Sequence, residues 1–386
     1  MRRRICTVTS TRADYGLLAP VMRAITGHAD LELQVLATGS HLSREHGMTI
    51  EAIERDGFSV SARVEMLLAS DSSIGVAKSM GLGLIGFADA FQQLMPDVVL
   101  LLGDRFEILA AATAAFTQGI PLAHIAGGDV TEGALDEGFR HAITKLASVH
   151  FVTNADAARR VRQMGEDPAR IVISGSPGID AILAQAPTAR DEIESRLGFK
   201  LRARNLLITF HPETATTLPA DAQVVELLAA LDQLAGEGLE LGLIFTGANA
   251  DAGGRAVKAL VQRYVDERPH SLYRESLGQA LYLGTMRHVD AVVGNSSSGL
   301  YEAPSLRVPT VNIGDRQKGR LLASSVINCP TERTQIHAAI LAALALDCSS
   351  AINPYGDGHA AKRIAAWLAD TPLTCGSRKA FHDLPV

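Results

Sequence analysis

Cysteine is scarce and scattered: Cys6, Cys329, Cys348 and Cys375 are the four in 386 residues. None lies in a Cys-x-x-Cys pair, and there is no His-Glu-x-x-His. That spacing speaks against a disulfide framework and a structural zinc site. An excess of positive charge is missing too. There are 36 basic and 42 acidic residues, for a net charge of -6. Such a chain has no global pull toward nucleic acid or an anionic membrane. An anionic ligand must therefore be held by a local cluster of Arg and Lys. No apolar run reads as long enough to span a bilayer. The basic start Met1-Arg2-Arg3-Arg4 leads into Ile5 to Tyr15, which already contains Arg12 and Asp14, so no signal-peptide core forms. A cytoplasmic protein is expected. Low-complexity tracts and short-period repeats are also lacking.

What is present is an alternation. Hydrophobic residues make up 47% of the chain, and its length suits two domains. Ile5–Thr9, Leu31–Ala37, Asp97–Leu102, Pro121–Ile125, Val149–Thr153 and Ile171–Ser174 read as buried strands with helices between them. After the breaker cluster Gly175-Ser176-Pro177-Gly178, a hinge candidate, the pattern restarts. Asn205–Phe210, Leu239–Thr246, Ala291–Val293 and Thr310–Ile313 are its strands. This predicts an α/β protein with two Rossmann-like domains facing across a cleft. The boundaries are 1–178, 179–357 and a C-terminal helix and tail, 358–386, packing back on the first domain. Open parallel sheets bind ligands beyond the carboxyl ends of their strands, so the strand-end loops should carry the chemistry.

One motif is a decoy. Gly81-Leu82-Gly83-Leu84-Ile85-Gly86 matches Gly-x-Gly-x-x-Gly, but a dinucleotide fingerprint must follow a strand and open a helix. The flanks Ile74–Met80 and Phe87–Leu94 both read as helical, so close helix packing explains these glycines better.

The strand-end loops are polar. In Thr11-Arg12-Ala13-Asp14-Tyr15-Gly16, Arg12 could meet a phosphate at a helix start, or Asp14 could simply cap a helix beginning near Leu17. Both readings are open on this loop alone. Gly103-Asp104-Arg105-Phe106-Glu107 places an acid after the strand Val98–Leu102; Asp104 faces a ligand crevice, caps the helix Phe106–Phe116, or does both. From His124 to Lys145 come Gly127-Gly128-Asp129, Thr131, Asp136, Glu137, Arg140 and His141. Leu135, Phe139, Ile143 and Leu146 would form one apolar helix stripe. Asp136–Arg140 and Glu137–His141 are spaced as i, i+4 bridges, yet acids clustered beside a Gly-Gly turn also suit acid–base work.

Three further loops lie in the second half. His211, in Phe210-His211-Pro212-Glu213-Thr214, ends a strand where an imidazole could meet a substrate. Gly294-Asn295-Ser296-Ser297-Ser298-Gly299 offers backbone N–H groups and hydroxyls to phosphate oxygens. Glu302, just beyond, cannot bind phosphate but could accept the two ribose hydroxyls. Asn312 to Arg320 brings Arg316, Lys318 and Arg320 into one loop, a local anion site in a net-acidic chain.

Taken together and in this order, these motifs resemble the hydrolysing UDP-N-acetylglucosamine 2-epimerases of bacterial sialic-acid and capsule pathways. The resemblance spans about residues 5 to 358 and implies the glycosyltransferase-B fold. It also implies roles. Asp104, Asp129 and Asp136 would supply base and acid, with His211 opposite. Ser296, Ser297, Ser298 and Arg12 would hold the diphosphate, Glu302 the ribose, and Arg316 and Arg320 the diphosphate–sugar side. Tyr282 would neighbour the uracil. Asp14, Arg105, Glu107, Glu137, Arg140, His141, Thr246, Gly247, Gln317 and Lys318 complete the substrate-contacting set. Two departures stand out: Ala126 where some members carry an acid after His-Ile, and Gly-Gly-Asp for a commoner Gly-Gly-Glu.

The implied reaction takes UDP-N-acetylglucosamine and water to N-acetylmannosamine and UDP. It passes through a 2-acetamidoglucal, uses no metal or redox cofactor, and feeds sialic-acid or related nonulosonate synthesis. A homodimer or homotetramer is implied. Alternatives are a UDP-N,N'-diacetylbacillosamine 2-epimerase, a non-hydrolysing epimerase, a glycosyltransferase of the same fold and, from another class, a nucleotide-sugar-binding regulator.

Overall fold

Short apolar runs become the strands of two parallel sheets. The computed structural model describes residues 2–70, 72–130, 135–213, 218–247, 254–373 and 378–384. Thr131 and Thr214 of the motifs above lie outside them. The first sheet comprises β1 (Arg3–Thr9), β2 (Leu31–Thr38), β3 (Val60–Val64), β4 (Val98–Leu102), β5 (Leu122–Ile125), β6 (Val149–Val152) and β7 (Ile171–Ile173), in the order β3-β2-β1-β4-β5-β6-β7. The second comprises β8 (Arg204–Thr209), β9 (Leu241–Thr246), β10 (Ser271–Arg274), β11 (Ala291–Gly294), β12 (Thr310–Ile313) and β13 (Val326–Cys329), in the order β10-β9-β8-β11-β12-β13. Every residue of β4, β5 and β6 is buried, as expected for central strands covered on both faces. The edge strands β3, β10 and β13 are partly exposed. They lack a continuous apolar run, and for that reason the sequence pattern does not reveal them.

The helices are α1 (Arg12–Thr26), α2 (Ile50–Arg55), α3 (Ser73–Leu94), α4 (Phe106–Thr117), α5 (Leu135–Leu146), α6 (Ala155–Gln163), α7 (Pro177–Ala184), α8 (Arg190–Leu197), α9 (Ala220–Gly236), α10 (Gly254–Asp266), α11 (Gly278–Met286), α12 (Ser298–Tyr301), α13 (Arg333–Ala345) and α14 (Ala360–Asp370). The chain divides into two compact units. One is Met1–Ala181 with Tyr355–Val386, the other Ile182–Pro354. The first crossing falls inside α7. In the first unit, α1 and α14 cover one face of the sheet through Leu18, Met22, Ile364 and Leu368. Helices α3 and α4 cover the other through Phe87, Phe91, Ile108 and Ala111. The Asp180 carboxylate accepts N–H bonds from Ala360 and Ala361 at 3.1 and 2.8 Å, which caps α14 and joins it to this unit.

Two local expectations need correction, the start of α1 and the lack of a membrane-length apolar run, while the helical reading of the Gly81–Gly86 flanks holds. Helix α1 begins at Arg12 rather than near Leu17. Thr11 is the N-cap, and Asp14 reaches back to it in a capping box. The Gly81–Gly86 stretch lies inside one unbroken helix, α3. There a Cβ at Gly83 would sit 2.7 Å from Met66 and one at Gly86 2.7 Å from Val64, so these glycines permit close packing on β3 and its following loop. Read as one helix of 22 residues whose most apolar 18-residue window has mean hydropathy 1.3, α3 does reach membrane-spanning length and composition. Its Phe87, Ala90 and Phe91 nevertheless belong to the sheet core.

The second sheet depends on one close approach. Gly294 ends β11 with φ +132°, and a Cβ there would lie 2.0 Å from the Thr209 carbonyl oxygen. Gly294→Ala is expected to lower the unfolding free energy by about 3 kcal/mol, read as a shift of the urea midpoint at unchanged m-value.

Candidate functional site

Strand order sets where each site belongs. In the first sheet the order reverses between β1 and β4, and in the second between β8 and β11. Ligands of open α/β sheets sit at such switch points, beyond the strand ends.

In the first unit, the loops after β1 to β4 line a cavity of about 960 Å³. Thr11, Ser40, Arg44, Glu65, Arg105 and Glu107 are its polar lining, and Leu42, Met66, Leu67, Leu68 and Phe106 its apolar wall. Glu107 is buried and takes a two-pronged bond from Arg105, at 3.2 and 3.1 Å. Glu107, Asp14 and Asp136 together raise the Arg105 pKa against the opposing effect of burial. Asp14 is fully engaged: its carboxylate accepts from Thr9, Ser10 and Thr11. It acts as a structural brace and not as the N-cap itself. Arg12 is exposed on the first turn of α1.

The acid cluster centres on Arg140. This guanidinium is 5% exposed. It pairs with the Asp104 carboxylate and donates to the Asp129 carbonyl at 2.7 Å. Asp104 is therefore not the cap of α4, whose N-cap is Arg105 with no side-chain cap bond. Nor does Arg140 bridge Asp136, which is exposed on the first turn of α5. The Asp129 carboxylate accepts from Thr153 Oγ1 at 2.7 Å. Glu137 and His141 do pair, at 3.5 Å. The apolar stripe of α5 is shorter than expected, because Leu135 is 74% exposed.

Local sequence explains the tight turn here. A Cβ at Gly127 would meet Thr144 Oγ1 at 2.8 Å, and one at Gly128 would meet the Ala157 carbonyl at 2.4 Å. The glycine pair thus lets α5 and α6 approach. Ala126, just before it, has φ +66°, a left-handed conformation that costs a non-glycine residue about 1 kcal/mol. His124 is buried, with Nε2 2.8 Å from the Gly103 carbonyl, and desolvation lowers its pKa to about 3. It stays neutral and tethers the end of β5 to the loop that carries Asp104.

In the second unit the hub is Asn295, fully buried. Its side chain accepts from His211 N at 2.7 Å and donates to His211 O at 2.8 Å. Its carbonyl accepts from Arg316 Nη1 at 3.1 Å and Gln317 Nε2 at 2.8 Å. One residue thereby fixes His211 and the Arg316 loop together. Glu213 accepts from Arg316 N at 3.1 Å. Tyr282 OH bonds Ser298 Oγ at 2.6 Å, and Ser298 Oγ bonds Ser296 Oγ at 3.2 Å; the tyrosine thus braces the serine loop. Ser297 is the N-cap of α12. Thr246 bonds Thr209 across β9 and β8 at 2.5 Å, and Gly247 N donates to Arg274 O at 3.1 Å. Lys318 pairs with Asp315 at 3.3 Å, and Arg320 is exposed.

Asn295, Thr153 and His124 escaped assignment although they lie in or beside the quoted motifs. Buried amide and hydroxyl clamps give no periodic signal. The cavity loops 39–44 and 65–70 escaped because tertiary packing alone brings them together.

A protein-family model described as UDP-N-acetylglucosamine 2-epimerase matches residues 23–369. The chain belongs to that family. It is 39% identical over 328 residues to a GDP/UDP-N,N'-diacetylbacillosamine 2-epimerase (hydrolyzing) of Campylobacter jejuni, covering 85% of this chain and 84% of the relative. It is 34% identical over 373 residues to a UDP-N,N'-diacetylbacillosamine 2-epimerase (hydrolyzing) of Legionella pneumophila, covering 97% of each. The fold is shared with the crystal structure of the UDP-GlcNAc 2-epimerase from Neisseria meningitidis bound to UDP-GlcNAc, at TM-score 0.80 and 19% identity over 95% of this chain and 100% of that one. Both the Campylobacter jejuni and the Legionella pneumophila relatives are named as hydrolysing enzymes.

One member of the set is chemically incomplete. Glu302 Oε2 is buried and has no partner among the described residues, and desolvation raises the Glu302 pKa from 4.5 to about 7. The folded-state value lies above the unfolded one. The stabilising effect of protonation is therefore complete below about pH 4.5 and lost as pH rises through 7. Urea unfolding at pH 5 and pH 8 is expected to show a fall of up to about 3 kcal/mol from this group, and Glu302→Gln is expected to remove that component.

Proposed function

We propose that this epimerase-family protein is a hydrolysing 2-epimerase acting on a UDP-activated 2-acetamido sugar. The observation that carries the reading is the Arg140-centred cluster of Asp104 and Asp129 at the ends of β4 and β5. In the proposed reaction a carboxylate removes the C2 proton as the C1–O bond to UDP breaks, giving a 2-acetamidoglucal and UDP. Water then adds its oxygen at C1, and a proton returns to C2 on the opposite face. The sum is UDP-sugar plus water to the free 2-epimeric sugar plus UDP. Asp104, Asp129 and Asp136 share the proton transfers, with His211 assisting. Ser296, Ser297, Ser298, Arg12, Arg316 and Arg320 hold the diphosphate and stabilise the charge that builds as it departs. The ribose hydroxyls donate to Glu302, which supplies the partner its buried oxygen lacks.

For the sugar we favour the 4-acetamido-6-deoxy form, UDP-N,N'-diacetylbacillosamine. The names of the two relatives at 39% and 34% identity support it. So does the apolar wall of Leu42, Met66, Leu67, Leu68 and Phe106, which suits a C6 methyl and an acetamido methyl. UDP-N-acetylglucosamine, giving N-acetylmannosamine, is the second reading. The ligand named for the Neisseria meningitidis structure of the same fold favours it.

Incubation of the protein with each nucleotide sugar in heavy water tests both readings. Free UDP and a 2-epimerised sugar carrying one deuterium at C2 are expected, with the larger kcat/KM for the 4-acetamido substrate. A UDP-linked epimer, or a product without C2 deuterium, would sink the mechanism. Asp104→Asn is expected to lower kcat by about 100-fold or more while substrate still binds in calorimetry.

We also propose self-association through α3, where Ile74 and Ile85 lie on one helical face at 68% and 65% exposure. Light scattering should give a dimer or tetramer mass that Ile85→Glu reduces; a wild-type monomer would rule this out.

A further inference from the structure

The C-terminal tail beyond α14 ends on a buried ion cluster that the proposed chemistry does not use. Glu166 is 1% exposed. Its Oε1 accepts from Lys145 of α5 at 2.6 Å, and its Oε2 lies 2.9 Å from His150 of β6. Lys379 of the tail also pairs with Oε2. A single carboxylate therefore gathers α5, β6 and the tail. Burial alone would raise the Glu166 pKa, but these partners hold it at about 2.

The Lys379 ammonium does more than neutralise Glu166. It donates to the Thr144 carbonyl at 3.3 Å and to the Ala147 carbonyl at 2.5 Å. These are carbonyls at the C-terminal end of α5, where a helix leaves acceptors unpaired and favours a cation. From there the contacts run directly to the acid cluster. Thr144 Oγ1 donates to the Arg140 carbonyl at 3.0 Å, and Arg140 holds Asp104 and Asp129. The tail is itself pinned nearby. His382 N donates to Gly165 O at 2.9 Å, and the Phe381 ring lies 5.0 Å from Lys145 Nζ. The ring also fills the space beside Gly165, where an added Cβ would come within 2.3 Å of it.

We propose that Lys379 is a positioning residue, latching the C-terminal end of α5 so that Arg140 presents Asp104 and Asp129 in working geometry. Removing the ammonium takes away the donor to the Ala147 carbonyl, leaves the Thr144 carbonyl with its 3.3 Å bond from Ala147 N, and leaves Glu166 with one cation fewer. The end of the helix then loosens, and Arg140 loosens with it, while the cavity lining after β1 to β4 is untouched. The cost should fall on turnover and spare binding.

The test uses the full chain with Lys379→Met, Lys379→Arg and Phe381→Ala. Two readouts are taken: amide hydrogen exchange over residues 140–147, and kcat and KM for the nucleotide sugar. Lys379→Met is expected to speed exchange there and to lower kcat about tenfold with KM within about twofold. Lys379→Arg, which keeps the charge and its donors, should recover most of both. If Lys379→Met does not fold, Phe381→Ala is read in its place, since it frees the tail with every charge retained. Unchanged exchange in α5 overturns the proposal, as does faster exchange with wild-type kcat, which would make the contact merely structural. The kinetic arm rests on the proposed function and the exchange arm does not. A wild-type protein inactive on both sugars would therefore count against the function, and exchange alone would decide the latch.

Discussion

A buried guanidinium must be answered by acceptors or it destabilises the fold. Arg140 is answered by the carboxylate after β4 and the carbonyl after β5. Losing one partner of such a buried pair typically costs about 3–5 kcal/mol, so the two loops are not free to move independently of α5. Much of the first unit serves this constraint. The Gly127-Gly128 pair admits Thr144 and Ala157 at short range, His124 fastens Gly103, and Thr153 holds the carboxylate of Asp129. The acids are thus carried by rigid elements, as the proposed proton transfer at one carbon would require.

The second unit solves a different problem with a similar device. Its loops must present hydroxyls, a histidine and cations without a helix long enough to organise them, since α12 has only four residues. A single amide does that work. Asn295 bonds both backbone groups of His211, and its own carbonyl takes Arg316 and Gln317. Because a side-chain amide both donates and accepts, it can clamp a backbone in one register, which an ionised aspartate at that position could not do.

How much of this was legible in the sequence follows from which signals are local. The central strands were, because burial on both faces demands continuous apolar runs such as Val98–Leu102. Three of the four edge strands, β3, β10 and β13, were not, because they lack such a run, whereas the edge strand β7 was, through Ile171-Val172-Ile173. Polar residues at strand ends, such as Asp104, Asp129 and His211, could be picked out by position as candidates. Their partners could not. The i, i+4 spacing suggested Asp136 for Arg140, yet the guanidinium turns toward Asp104, 36 residues away, since a buried carboxylate contact outweighs a solvated helix-surface pair worth a few tenths of a kcal/mol. Asp14 resembled a helix cap or a ligand group, and its contacts with Thr9, Ser10 and Thr11 show a brace. The same competition between local pattern and tertiary contact hid Lys379, which lies more than 200 residues from the helix it touches.

Two features sit badly with stability taken alone. Ala126 holds a left-handed backbone that glycine would adopt without strain, and Glu302 keeps a buried oxygen without a partner. Ala126 comes directly after β5, and Glu302 closes α12, the short helix that follows β11, both on the strand-end side where α/β sheets bind ligands. Elsewhere in these units buried carboxylates are met by several donors, as Glu166 and Asp14 are. On the proposed function, the incomplete group is the one that a ligand's hydroxyls would complete. A carboxyl group near pH 7 in its own titration would then gain its negative charge, and its strongest acceptor character, only when donors arrive. Binding the ribose would supply stabilisation that the empty fold lacks.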